Sequence, residues 1–276
     1  MRTFLVAAAA ALSLAPAAAH ADYFVTAVAN LGSASDGGYS PNGPTSKSAS
    51  VAGGDAQAQV DLSTGQAKTY LSFYGPDVAG PDFGSTGAVF GDTVTFSGAT
   101  NAGFKFDFDG SIYSDPIEEG NLSNYQILLV ANLRVFQAGS GATASNFASY
   151  GGALVSDSFV LEIRNPTEIV DLFLDESLFG NTAVTSGGSY DIFASFSTAI
   201  AMNGHPVFAT LDFLNTATFG IQLDDPGVTY SSRSGVLVGS TPSAAVPEPS
   251  TWAFMILGFG GAGALLRRRA RPAVSI

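Results

Sequence analysis

The sequence predicts an all-β fold, a β-sandwich or jelly roll, and three observations carry that expectation. Short runs rich in Val, Ile, Phe, Tyr and Thr recur along most of the chain. Gly, Asn, Asp and Pro bound those runs. Helical periodicity is scarce, and charged residues make up only 12% of the chain beside 32 Gly, 21 Phe and 9 Tyr. Many short strands separated by turn residues fit two packed antiparallel sheets.

Taken in order, Ala56 to Val60 and Ala67 to Tyr74 read as two strands around a Ser63-Thr64-Gly65 turn. Thr93 to Phe96 is a further short strand. Phe104 to Asp109 is the cleanest alternation in the chain, with three Phe on one face and Lys105, Asp107 and Asp109 on the other. Asn124 to Gln137 is apolar on both faces, as a strand covered by two layers would be. Phe159 to Arg164, Tyr190 to Ile200, Phe208 to Phe213, Thr218 to Leu223, Val228 to Tyr230 and Gly235 to Val238 complete the series. Glu168 to Phe179 is open to two readings, because Pro166-Thr167 can start a helix while Val170, Leu172 and Leu174 alternate with Asp171, Phe173 and Asp175; the strand is preferred. Gly32 to Gly54 and Ala138 to Gly152 read as loops, rich in Gly, Ser and Asn.

Both ends of the chain carry targeting signals. Met1-Arg2-Thr3, the apolar run Phe4 to Leu14 and the small residues to Ala19-His20-Ala21 read as a secretory signal peptide, residues 1–21, cut by signal peptidase before Asp22, with a cut after Ala19 as the alternative. The body then covers 22–243, and a tail covers 244–276. In the tail, Pro247 and Pro249 end any upstream helix. Thr251 to Leu266 is an uncharged stretch that predicts a single membrane helix. Sixteen helical residues reach about 24 Å against a hydrocarbon core of about 30 Å, so the span is short for a permanent anchor. The basic stop at 267–271 favours a cytoplasmic C-terminus, and Trp252 suits the opposite interface.

The order of these parts resembles a known family signal. Pro247-Glu248-Pro249, Trp252-Ala253, the glycine-rich apolar stretch and Arg267-Arg268-Arg269 are similar to the PEP-CTERM sorting domain in its Trp-Ala subtype. The resemblance implies an exported protein of a Gram-negative bacterium, recognised by an exosortase and tethered transiently in the inner membrane. It implies cleavage near Pro-Glu-Pro and delivery to the cell surface or extracellular matrix, in bacteria that make exopolysaccharide and biofilm. The stretch from Ala217 to Gly235 also resembles the final strands of exported proteins with this tail, which implies a sandwich directly before the signal.

Composition restricts the chemistry of the body. With no cysteine, disulfides and thiolate metal sites are excluded. Six basic residues against twenty-two acidic ones give the body a charge of about −16, a poor match to nucleic acid. Its one histidine, His205, lies in Asn203-Gly204-His205-Pro206, with no nucleophile-elbow sequence to make a triad of it. Asp107, Asp109 and Asp115 offer hard oxygen ligands for calcium, without the register of an EF-hand loop, and Glu118-Glu119 lie near enough in sequence to add to them. Asp224-Asp225 reads as turn chemistry. Tyr39, Tyr150 and Tyr230 are candidate exposed platforms for sugars. A hydrolase would need a carboxylate pair in a deep cleft, about 5–10 Å apart, and the sequence nominates no pair. The expectation is therefore a non-enzymatic surface or matrix protein with no cofactor. A carbohydrate- or calcium-binding module is the alternative, and a secreted hydrolase stands behind both.

Overall fold

In the computed structural model the described residues are 23–40, 45–73, 83–116, 125–202 and 207–235. The leader, the tail with its predicted helix at 251–266, His205, Glu118, Glu119 and Tyr74 lie outside them. No helix among the described residues is long and apolar enough to cross a membrane.

Thirteen strands are described: β1 (Phe24–Leu31), β2 (Ala34–Ser40), β3 (Thr45–Val51), β4 (Gly54–Asp61), β5 (Gln66–Phe73), β6 (Phe83–Phe96), β7 (Thr100–Pro116), β8 (Tyr125–Gln137), β9 (Val155–Arg164), β10 (Val170–Val184), β11 (Ser189–Met202), β12 (Val207–Leu223) and β13 (Tyr230–Ser232). One sheet has the order β2-β1-β6-β11-β8-β9, with β13 also on β6; the other has β10-β7-β12-β5-β4-β3. Every pairing is antiparallel. The pairs β8–β9, β7–β10, β6–β11 and β5–β12 are nested one inside the next in sequence and alternate between the two sheets. That nesting is the winding of a jelly roll, so the predicted fold class holds. Hairpins β1–β2 and β3–β4 widen the two sheets beyond β6 and β5.

The interior is aromatic. Phe104, Phe106 and Phe108 point inward from β7 and are buried, as their alternation predicts. Phe90 meets Phe106 and Phe219 edge-on at 6.2 and 5.8 Å, and Phe196 lies 5.2 Å from Phe108 and 5.0 Å from Phe213. Such pairs add about 0.5–1.5 kcal/mol each beyond the area they bury. A second cluster, of Phe24, Val89, Phe136, Ala142, Phe147 and Phe193, lies on the outer face of the first sheet. Residues 138–153 cover it. This segment is a loop, as expected, and it is pinned by the Tyr150 hydroxyl donating to the Ser140 carbonyl at 2.6 Å and by Phe147 stacking on Phe193 at 5.1 Å. The two-layer cover expected along Asn124 to Gln137 is complete at Asn132 and Phe136 but not between or before them. Val130 is half-buried.

Several expectations need correction. Gly32 to Gly54 is not a loop: it holds β2, β3 and the first residue of β4. These edge strands carry small polar side chains because they extend past the aromatic core, so they lack the apolar alternation that marks a strand. β1 and the first ten residues of β6 were likewise absent from the expected series. In β6 the run Phe83 to Asp92 is glycine-rich for a packing reason: a Cβ on Gly91 would lie 2.5 Å from Phe24 Cε1 and 3.0 Å from Phe193 Cδ1. The two strands expected at 208–213 and 218–223 are one strand, β12, with an irregularity between Phe213 and Ala217. Of Glu168 to Phe179, the residues from Val170 onward are strand, the first ten of β10. Val228 to Tyr230 shifts to Tyr230–Ser232, because Val228 belongs to the turn that Asp225 nucleates through its carboxylate to Gly227 N at 2.8 Å. The hairpin at Ser63-Thr64-Gly65 stands as read, with Gly65 at φ 65°.

Candidate functional site

The outer face of the second sheet holds the candidate aspartates. Even-numbered residues of β7 from Ala102 to Ser114 are buried, so Lys105, Asp107, Asp109 and Asp115 face away from the core. Asp107 is tied to Lys105, with Nζ 2.9 Å from Oδ2, and accepts a hydrogen bond from the Ser177 hydroxyl. Asp109 lies directly opposite Asp175 of β10. Asp107, Phe108, Asp109, Phe173, Asp175 and Thr218 line a shallow depression of about 330 Å³. Phe173 stands at its margin, 73% exposed.

The structure thus brings Asp107 and Asp109 together and adds Asp175 and Phe173, which were not singled out. Their signal lay in the ambiguous stretch: once 168–179 is a strand, Asp171, Phe173 and Asp175 share its outward face. Asp115 is not brought to this group. It lies opposite Phe208 and six residues along β7 from Asp109, about 20 Å at the usual strand rise. Among the described residues no three His, Asp or Glu side chains are placed to hold a metal ion. The depression is open to water. Its carboxylates can accept hydrogen bonds from hydroxyl donors beside the Phe173 ring, whereas chemistry that needs a dry site would require closure.

The tyrosines expected as exposed platforms are otherwise engaged. Tyr39 stacks on Phe24 at 6.2 Å, Tyr150 meets Phe136 edge-on at 5.9 Å, and Tyr230 packs on Phe96 at 6.0 Å. All three are half-buried, because the second aromatic cluster and the margin of the main core draw them in. Among the described residues Phe173, Phe179 and Phe208 are exposed instead, Phe173 the most.

Two other carboxylates are buried, each 3% exposed. Asp92 accepts from the Ser234 hydroxyl at 2.6 Å, from Ser234 N at 3.3 Å and from Thr93 N at 2.8 Å. Asp191 accepts from the Thr93 hydroxyl at 2.7 Å and from Gly139 N at 3.2 Å. Burial pushes both above the usual carboxylate range, and these hydrogen bonds oppose part of the rise; the Arg233 charge adds to that opposition at Asp191.

The rest of the nominated residues, Pro247, Glu248, Pro249, Trp252, Arg267, Arg268 and Arg269, lie outside the described residues, and sequence comparison speaks to them. Residues 245–269 match the family model of the PEP-CTERM protein-sorting motif. The chain carries a PEP-CTERM sorting motif. The match takes in all seven of these residues and ends with the arginine run. It spans roughly a tenth of the chain, so the motif names the tail and leaves the jelly roll unnamed. No curated protein matches the chain. A PEP-CTERM motif implies sorting by an exosortase and export to the cell envelope or surface.

Proposed function

We propose that this chain is a secreted, non-enzymatic jelly-roll protein of a Gram-negative bacterium, delivered to the cell surface or extracellular matrix by way of its C-terminal address. The carrying observation is the PEP-CTERM match at 245–269. The leader at 1–21 starts export, and signal peptidase removes it. The apolar stretch at 251–266 then holds the chain in the inner membrane, at a length marginal for permanent residence. An exosortase cuts near Pro247-Glu248-Pro249 and frees the body of its anchor. A −16 body with an aromatic interior and no cysteine suits a soluble module that keeps its fold without disulfides.

Deleting residues 246–276 tests the proposal, with cell fractions and intact mass as readouts. The full chain is expected at the surface with the leader and tail removed, and the deletion variant at another destination. Identical localisation and processing of the two would refute it.

The depression at Asp107, Asp109 and Asp175 supports a second reading, a calcium- or carbohydrate-binding role in a matrix of exopolysaccharide. The exposed Phe173 ring offers a stacking surface and the carboxylates offer acceptors. Calcium should then raise the melting temperature of the wild type but not of Asp109→Asn/Asp175→Asn, and Phe173→Ala should weaken retention on neutral exopolysaccharide. No response in either assay would remove this reading.

A further inference from the structure

The two ends of the sandwich are finished differently. At one end the edge strands β2 and β3 are tied together: Lys47 Nζ lies 3.2 Å from Asp36 Oδ1, and Ser48 N donates to Asp36 Oδ2 at 3.4 Å. At the other end β10 closes the second sheet, and no strand pairs beyond it among the described residues. The later part of its free edge is covered by β9. Phe179 N donates to Asp157 Oδ2 at 2.9 Å, and a Cβ on Gly180 would press into Val155. The earlier part is bare. From Asp171 to Ser177 every residue is exposed except half-buried Leu174, although side chains of both faces are included.

The Phe179 bond also fixes which main-chain groups face outward. In an antiparallel ladder successive residues turn their N–H and C=O alternately to one side and the other. Phe179 N turns outward, so Asp171, Phe173, Asp175 and Ser177 present theirs to the open edge. The pairing with β7 runs through all fifteen residues of β10 without a bulge. Val170 to Ser177 contains no Pro, Gly or Lys to guard the edge, and it displays Leu172 and Phe173.

Charge selects the partner. Asp171, Asp175 and Glu176 are exposed, and Asp107 and Asp109 share the outer face with the first two. The basic residue of β7, Lys105, is paired with Asp107, that of β9, Arg164, is paired with Glu162 at 2.6 Å, and β10 has none. A second copy would set these acids against one another on a body of about −16. A cationic strand would neutralise them.

We propose that residues 171–177 of β10 are a docking edge for an extended, lysine- or arginine-bearing segment of a partner protein, which joins the second sheet as its next strand. Main-chain hydrogen bonds to the four outward residues supply the attachment. Basic side chains opposite Asp171, Asp175 and Glu176, and apolar ones opposite Leu172, Phe173 and Leu174, supply the selection. The inference goes beyond sorting and beyond a ligand in the depression, because it takes the free backbone beside that depression.

The test titrates the full chain, in a non-ionic detergent with chelator, into a fluorescent peptide, Thr-Lys-Lys-Val-Tyr-Val-Lys, written antiparallel to residues 177 through 171. Saturable binding is expected. Hydrogen exchange read by NMR should slow about ten-fold or more at the amides of 171, 173, 175 and 177, and much less at 172, 174 and 176. The peptide N-methylated opposite Asp171, Phe173 and Asp175 loses those bonds and should bind at least about ten-fold more weakly. Asp171→Asn/Asp175→Asn should weaken binding about five-fold at low salt and flatten its salt dependence. Phe173→Ala keeps the outward amide, whereas Phe173→Pro removes it without taking a donor from the β7 ladder, so the proline variant should bind about ten-fold more weakly than the alanine one. Should Phe173→Pro fail to fold, the N-methylated peptide decides the matter. Absence of saturable binding, or equal binding of the plain and N-methylated peptides, would overturn strand addition. A sedimentation dimer that the peptide does not displace and that Phe173→Pro abolishes would overturn the cationic partner and give the edge to a second copy. Sorting is judged separately, by the 246–276 deletion.

Discussion

Replacing Gly110 by alanine tests the fit of β7 against β12. Between the pairs Asp212–Ser111 and Thr216–Asp109, β12 advances four residues while β7 advances two, so Gly110 faces a bulge. A Cβ there would press into the Asp212 carbonyl oxygen and Phe213 Cδ1, and would lie 2.7 Å from Phe213 Cε1. Phe213 is 1% exposed and packed on Phe196, so its ring has little room to retreat, and the carbonyl is main chain. Overpacking costs about 1–3 kcal/mol, and the rigid neighbours place this site near the upper end. The lower entropy of the unfolded alanine chain offsets about 0.4–1 kcal/mol. The net expectation is a loss of about 2 kcal/mol, or about 4–8 °C in Tm for a domain of this size. Gly220→Ala is the control on the facing strand, β12, because its Cβ would meet nothing within 4 Å. It should be neutral or gain up to about 1 kcal/mol. Urea unfolding of both variants measures the difference. Equal stability of the two, or a Gly110→Ala loss under about 0.5 kcal/mol, would refute the argument.

Three further outcomes are expected. Tyr125→Phe removes the buried partner of the Ser114 hydroxyl, 2.6 Å away, and should cost about 1–3 kcal/mol; adding Ser114→Ala should recover part of it, as read in a denaturant double-mutant cycle. Burial pushes Tyr125 and Tyr230 up to about 12, so the folded state holds these protons more tightly than the unfolded chain. Their contribution is present below about pH 10 and is lost as pH rises through 12, so 295 nm titration should show these phenols ionising with alkaline unfolding rather than before it. Asp191 is also raised by burial, so its contribution is fullest at acidic pH and falls as pH rises through the raised value. Asp191→Asn should therefore flatten the slope of Tm against pH as pH rises above the usual carboxylate range; an unchanged slope would contradict the assignment.

Legibility followed the strength of local pattern. Phe104 to Asp109 was readable because one face is core and the other water, so chemistry alternates with the pleat. The strand at Glu168 to Phe179 was readable in type, yet its content was not. Whether Asp175 would meet Asp109 depends on the β7–β10 register, which pairs residues sixty-six positions apart. The same holds for Asp115: sequence proximity suggested one cluster, and strand geometry stretched it out. β2 and β3 were missed because edge strands beyond the core need no apolar face. Phe83 to Asp92 was missed because Gly84 and Gly91 answer to side chains on β1, β5 and β11 rather than to a local pattern.

By itself the sequence determined the class of fold and the sorting motif of the tail, with the export that motif implies. Targeting segments are read in extended or isolated form by membranes and enzymes, so their information is local and survives without a tertiary structure. Alternation is local too, and it sufficed for the all-β class. Only the tertiary structure decided which carboxylates share a face, which aromatics are buried, and that β10 stands at the end of its sheet. Those facts arise from pairings between distant segments, set by register and packing, and no short window of residues contains them.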